Sequence, residues 1–166
     1  MFVGFGRRAW AQLASAVPTF RALTKPVQVP LESVKAPWQT VPFKAEGVAP
    51  ARGGTPSRRV LLSGVLFRRG EGDTPGALSA LCVTCPHEQC EVELVDDQKR
   101  LATLKGGVTA HPMFVCGCHA SVFDAQADGA WIDGPAPRGL YVFRTRVADG
   151  RTVEIFEVEE TALFEV

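Results

Sequence analysis

Two short segments each set a cysteine beside a histidine: Cys85-Pro86-His87-Glu88-Gln89-Cys90 and Cys116-Gly117-Cys118-His119. Between His87 and Cys116 lie 28 residues, so these are two separate loops that the fold must bring together if they form one site. Thiolates are soft ligands for iron or zinc and imidazole is a neutral ligand, so one Cys and one His from each loop suit a zinc ion or an iron–sulfur cluster. Each loop then has a cysteine to spare. Zinc alone leaves Cys90 and Cys118 without a role, and an oxidising compartment lets spare thiols on neighbouring loops cross-link them.

The surrounding chain reads as β structure. With 16 Gly and 12 Pro in 166 residues, many turns and short strands are favoured over long helices. Residues 38–43 and 58–69 read as strands joined by a loop at 47–57, and the apolar run of the second predicts burial. Residues 77–84 form an apolar strand leading into the first Cys/His loop, and 111–115 lead into the second. The clearest local signal is a hairpin: 140–147 and 152–158 alternate around Asp149-Gly150, with Tyr141, Phe143 and Val147 on one face and Arg144 and Arg146 on the other. Helix is expected only as a turn within 95–104. Residues 18–37, with Pro18, Pro26, Pro30 and Pro37 and little periodicity, read as an extended connector outside the core. The strand reading alone supports an all-β class; we expect an antiparallel sandwich of two packed sheets.

Net charge is zero but unevenly spread: residues 1–59 carry nine Lys/Arg against two acidic residues. We divide the chain into a basic arm at 1–36, a globular domain at 37–158 and an acidic tail at 159–166. The arm suits an anionic membrane surface or an acidic partner, and the balance of the whole chain argues against a nucleic-acid binder. No stretch reaches the roughly 18 apolar residues of a spanning helix. The first 18 residues read three ways: a poor twin-arginine export signal after Arg7-Arg8, an amphipathic surface helix on Phe2, Phe5, Trp10, Leu13 and Val17, or a plain docked arm.

The pattern Cys-x-His-x-x-Cys, then Cys-x-Cys-His-x-Ser, then Gly134-Pro135-Ala136-Pro137-Arg138-Gly139-Leu140 resembles Rieske 2Fe-2S proteins, especially the iron–sulfur subunit of cytochrome bc-type quinol oxidoreductases. The motifs span roughly 77–141. The resemblance implies a 2Fe-2S cluster with Cys85 and Cys116 on one iron and His87 and His119 on the other, a Cys90–Cys118 disulfide, and a small cluster-binding subdomain. Neutral imidazoles in place of two thiolates raise the reduction potential, and the histidines couple electron transfer to a proton. Ser121 matches a serine that donates to a bridging sulfide. Phe123 stands where high-potential members often have Tyr, and a phenyl ring has no donor. Gly134, Pro135 and Pro137 fall in a proline loop that covers the cluster.

Two positions depart from that pattern: Glu88 and Gln89 replace the common Leu and Gly, making the loop tip more polar than a quinol pocket leads one to expect. Ala120 and Gly117 replace the usual Gly and Pro, both read as mild changes. The expected partners are quinol, a cytochrome b-type membrane subunit and a c-type cytochrome, on the periplasmic or outer face of an energy-transducing membrane, peripherally attached. Alternatives are a small Rieske subunit of an arsenite-oxidase-like enzyme, a free Rieske ferredoxin, whose family usually lacks the disulfide, and a zinc module on Cys82, Cys85, Cys116 and Cys118. Outside the motif, Cys82 reads as a buried thiol, His111 as an exposed loop residue, and Trp38 and Trp131 as packing residues. No nucleophile–base–acid set, phosphate loop or carboxylate pair is present in the sequence.

Overall fold

The computed structural model describes residues 17–69, 77–104 and 110–166; the three readings of the first 18 residues fall almost entirely outside them. Among the described residues ten strands form two antiparallel sheets. The larger holds β1 (Phe20–Pro30), β2 (Thr40–Ala49), β3 (Arg58–Arg68), β4 (Leu78–Cys82), β9 (Val142–Ala148) and β10 (Thr152–Glu159), in the order β1-β10-β9-β4-β3-β2. This sheet curls until its edge strands β1 and β2 lie against each other. Phe43 of β2 and Phe143 of β9 meet edge to face across the interior, with ring centroids 5.1 Å apart. The two packed layers expected from sequence are thus two halves of one sheet.

The second sheet, β5 (Val92–Val95), β6 (Met113–Cys116), β7 (Val122–Asp124) and β8 (Ala130–Asp133), is paired in sequence order. In sequence it lies between β4 and β9, which are neighbours in the large sheet. It is the cluster-binding subdomain of the sequence reading. A short helix, α1 (Gln98–Ala102), lies within the stretch where a helical turn was expected, and Asp97 caps it by accepting from the Lys99 N–H at 2.9 Å.

The apolar run of β3 has a two-sided explanation. Side chains alternate across a strand. Val60, Leu62 and Leu66 face the interior of the curled sheet, while Val65 and Phe67 face the other way and join a second core with Leu81, Phe114, Phe123, Cys85 and Cys116. The small sheet covers the outer face of β3 and β4. Burying Phe67, Phe114 and Phe123 between the sheets contributes on the order of 2–3 kcal/mol per ring, so the ligand-bearing loops grow out of a packed interface.

Residues 18–37 correct the sequence reading. They are not a connector: β1 pairs with β10 and buries Leu23 and Val29, and a 3-10 turn at Leu31–Val34 buries Val34. Proline hid the strand. A proline cannot donate to a ladder, so it is confined to edges and bulges; the register of β1 shifts between Ala22 and Val27, around Pro26. The chain end differs too. In place of an acidic tail, α2 (Ala162–Glu165) buries Ala162 and Leu163 completely. The hairpin forms as expected: Asp149 and Gly150 take φ of 50° and 69°, and the Asp149 carboxylate accepts from the N–H groups of Arg151 and Thr152.

Candidate cluster site

The two Cys/His loops are built on one backbone plan. The Cys85 N–H donates to Cys90 O at 2.8 Å, and the Gln89 N–H returns to Cys85 O at 3.0 Å. In the second loop, the Cys116 N–H donates to Ser121 O at 2.9 Å and the Ala120 N–H to Cys116 O at 3.0 Å. Each loop is thus a turn closed twice, and in each the fifth residue is left-handed: Gln89 at φ 60° and Ala120 at φ 56°. The first loop follows β4 and ends in β5; the second joins β6 to β7.

This plan buries the first cysteine of each loop and turns the histidines outward. Cys85 and Cys116 are free thiols, 1% and 2% exposed. His87 and His119 stand ring to ring, centroids 4.9 Å apart and nearly perpendicular. The side chain of His119 is 45% exposed, with Nδ1 3.7 Å from a Glu88 carboxylate oxygen. Cys90 and Cys118 are joined in a disulfide that ties the loops together. All six residues that the sequence singles out are therefore gathered at one end of the small sheet.

The donor set fits a metal–sulfur group. His87 Nδ1 is buried and has no hydrogen-bond partner among the described residues; an orphaned ring nitrogen is costly unless something ligates it. Burial pushes the Cys85 thiol above its ordinary pKa; the His87 backbone N–H opposes this, the adjacent Cys116 sulfur adds to it, and the Ser121 hydroxyl opposes it. The donors aimed at Cys85 are those a thiolate needs, and coordination to a cation deprotonates a thiol outright. Cys116 lies with the disulfide sulfurs, and His87 with Glu88 and His119, in two groups whose ligand atoms are within 4.8 Å of one another. Disulfide sulfurs are spent as thiolates, which leaves Cys85, Cys116, His87 and His119 able to hold the group.

A third segment closes the site from the side. Gly134 has φ 91°, and a Cβ there would stand 2.5 Å from Ser121 Cα and 2.8 Å from Ala120 O. Only glycine permits that approach. Two residues on, the buried Ala136 N–H donates to Ser121 Oγ at 3.2 Å. Ser121, fully buried, thus joins the covering segment to the Cys85 sulfur. Pro135 and Pro137 are exposed, so Gly134 and Ala136 make the contacts and the prolines set the backbone between them. Phe123, also fully buried, packs in the same core as both free cysteines.

Other residues sort out differently from their sequence reading. Trp38 does pack, stacking on Phe67 and on His111. His111 is not a free loop residue: its side chain is three-quarters buried and its Nε2 lies 2.7 Å from Asp124 Oδ1. Trp131 is 47% exposed and donates its indole N–H to Gly134 O, holding the covering segment from outside. Cys82 is a buried thiol as expected, in the core of the curled sheet, with its pKa pushed up by burial. It sits apart from the core that holds Cys85 and Cys116, and Cys118 is in the disulfide, so the Cys-only zinc set is not assembled. Glu88 and Ala136 belong to the site though neither was singled out as a site residue; a carboxylate one residue past His87 was the available signal for Glu88.

An all-β fold with an inserted four-stranded sheet, bearing two disulfide-tied Cys/His loops with buried thiols and outward imidazoles, defines a small iron–sulfur electron carrier. A family model for the Rieske [2Fe-2S] domain matches residues 43–154, and the chain belongs to that family. It is an electron-transfer domain that binds a 2Fe-2S cluster. Among curated proteins, none matches the chain.

Proposed function

We propose that the chain is the electron-transfer iron–sulfur subunit of a cytochrome bc-type complex, taking an electron from quinol and passing it to a c-type cytochrome. In this reading Cys85 and Cys116 hold one iron and His87 and His119 the other. The observation that carries it is the Cys90–Cys118 disulfide between the loops, which the bc-type resemblance implies and Rieske ferredoxins usually lack. When bound, the cluster supplies one-electron chemistry at a potential raised by its neutral imidazole ligands.

The chain's own residues do the rest. The disulfide and the Ser121–Ala136 contact hold both loops in one arrangement, so little reorganisation accompanies a change of charge. Burial of Cys85 and Cys116 keeps water from the sulfurs, while the half-exposed His119 presents its second ring nitrogen to a quinol hydroxyl and takes the proton there. Phe123 offers no hydrogen bond to the cysteine sulfurs, which sets a lower potential than a Tyr would and suits menaquinol better than ubiquinol.

The partners in this proposal are a cytochrome b-type membrane subunit and a c-type cytochrome, with the protein attached peripherally to the outer face of an energy-transducing membrane, the part of residues 1–36 that precedes β1 supplying contact. Among the described residues no helix is long and apolar enough to cross a membrane. A second reading, the small Rieske subunit of an arsenite-oxidase-like enzyme, draws support from the polar tip, where the Glu88 side chain is 61% exposed.

A redox titration followed by electron paramagnetic resonance, repeated across pH, tests the quinol reading. The expected result is a potential well above about 0 mV that falls as pH rises past neutrality; a value near roughly −150 mV, the low end for Rieske centres, overturns it.

A further inference from the structure

Gln89 lies between His87 and Cys90 with a left-handed backbone, φ 60°. Glycine adopts that conformation freely and a long side chain does not, so its presence asks for a compensating contact. The contact is 76 residues away: Gln89 Nε2 donates to the backbone oxygen of Glu165, at 2.8 Å.

Glu165 is itself held at its side chain. Its carboxylate accepts the Tyr141 hydroxyl. Tyr141 is fully buried in the core of the curled sheet, with the Arg138 guanidinium 4.5 Å over its ring and Arg138 paired to the buried Glu159. The rest of α2 is seated by Leu163, fully buried so close to β2 that a Cβ on Gly47 would stand 2.5 Å from its Cδ2. A continuous path of contacts therefore runs from the main core through Tyr141 and Glu165 to the loop that carries Cys85 and His87.

We propose that Gln89 is a positioning residue, a strut that ties the first cluster loop to α2 and through it to the main sheet. It is not one of the four candidate ligands and acts by holding the turn in which Cys85 and His87 sit. The disulfide fixes this loop to its partner loop on the small sheet; Gln89 fixes it to the large one. The inference rests on the cluster common to the family and not on the quinol reading, and its test uses neither quinol nor cytochrome.

The test compares holoprotein carrying Gln89→Gly, Tyr141→Phe, or both. Gln89→Gly relieves the backbone while removing the donor, and Tyr141→Phe keeps the ring, so each is expected to fold. Amide hydrogen exchange across residues 85–90, iron release to a chelator and the cluster's electron paramagnetic resonance g-values are the three measurements. With the strut, Gln89→Gly speeds loop exchange and iron release several-fold and shifts the g-values, and Tyr141→Phe does the same more weakly. The double variant is no worse than Gln89→Gly, because both act through Glu165. Unchanged exchange, release and g-values in Gln89→Gly overturn the inference, as does strict additivity of the two substitutions.

Discussion

Gln89 and Ala120 occupy the same station in two loops of one plan: each is left-handed, and each sends its N–H back to the cysteine carbonyl four residues before it. Only Gln89 has a side chain that makes a contact in return. Ala120 is exposed, and its methyl group brings the steric cost of the left-handed region, about 1–2 kcal/mol, with nothing to offset it. Ala120→Gly is therefore expected to stabilise the holoprotein by about 1 kcal/mol, or roughly 2–4 °C in melting temperature. A fall in melting temperature would contradict this reading of the second loop.

Ser121 makes the opposite case, a small side chain with two tasks. Its oxygen accepts from the Ala136 N–H, and its hydroxyl opposes the rise that burial gives the Cys85 thiol pKa. Ser121→Ala leaves a buried N–H unpaired, costing about 1–3 kcal/mol of stability. It also removes a donor that stabilises the more negative, reduced state. One hydrogen bond of about 1 kcal/mol corresponds to on the order of 40 mV for a one-electron couple. The expected result is a lower midpoint potential in a voltammetric titration; an unchanged or higher value would show that the hydroxyl serves Ala136 alone.

How much of this was legible in advance depends on whether the signal was chemical or conformational. Cysteine and histidine spacing marked Cys85, His87, Cys90, Cys116, Cys118 and His119 before any geometry, because few other reasons put those residue types so close. The hairpin around Asp149 was equally plain, since alternation and turn chemistry agree there. Strand β1 was not, because Pro26 and Pro30 mimic a linker and only an unpaired edge and a bulge accommodate them. The anchoring role of α2 was hidden as well: Leu163 buries its side chain against Gly47, a partner 116 residues earlier, which no local pattern announces. His111 and Trp131 were misjudged for a related reason, as their partners Asp124 and Gly134 come from pairing within the small sheet and its covering segment.

Gly134 offers a sharper test of the covering segment. Adding one methyl there places a carbon 2.5 Å from the Ser121 backbone at φ 91°, and the backbone cannot yield without moving the second loop. Gly134→Ala is expected to destabilise by about 3 kcal/mol, combining overpacking with a left-handed alanine. Iron content after dialysis should fall in step with the melting temperature. Full cluster retention at wild-type stability would mean the segment lies further from Ser121 than described.

The disulfide lends itself to a thermodynamic prediction. Cys90 and Cys118 are 28 residues apart, and closing a loop of that length constrains the unfolded chain by about 3–4 kcal/mol. A Cys90→Ala, Cys118→Ala double variant should lose about that much stability, measured by denaturant unfolding of the cluster-free protein. The cluster should then be lost faster to a chelator, since nothing covalent holds the loops together. Equal stability of the variant would place the loops' cohesion in the core around Phe114 and Phe123 instead.

The last prediction concerns pH and the strand that sequence missed. Glu160 follows β10 and meets β1: its carboxylate takes the Arg21 Nε at 2.6 Å and the Thr19 hydroxyl at 2.9 Å. Arg21 first, then Thr19, hold its pKa below the usual carboxylate value. A carboxylate whose folded pKa is depressed adds stability above its unfolded pKa, near 4.5, and that stability is lost as pH falls through the lower folded value. The pair is exposed, so the effect is small and weakened by salt. Melting temperature plotted from pH 7 downward should therefore bend downward below about 4.5, and Glu160→Gln should flatten part of that bend. Protection factors of the amides at 20–22, corrected for the intrinsic pH dependence of exchange, should fall in acid along with it, reporting the loosening of β1 at this end. A wild-type curve that keeps its full slope in the variant would assign the acid sensitivity to other carboxylates and leave β1 held by its ladder to β10 and by buried Leu23 and Val29.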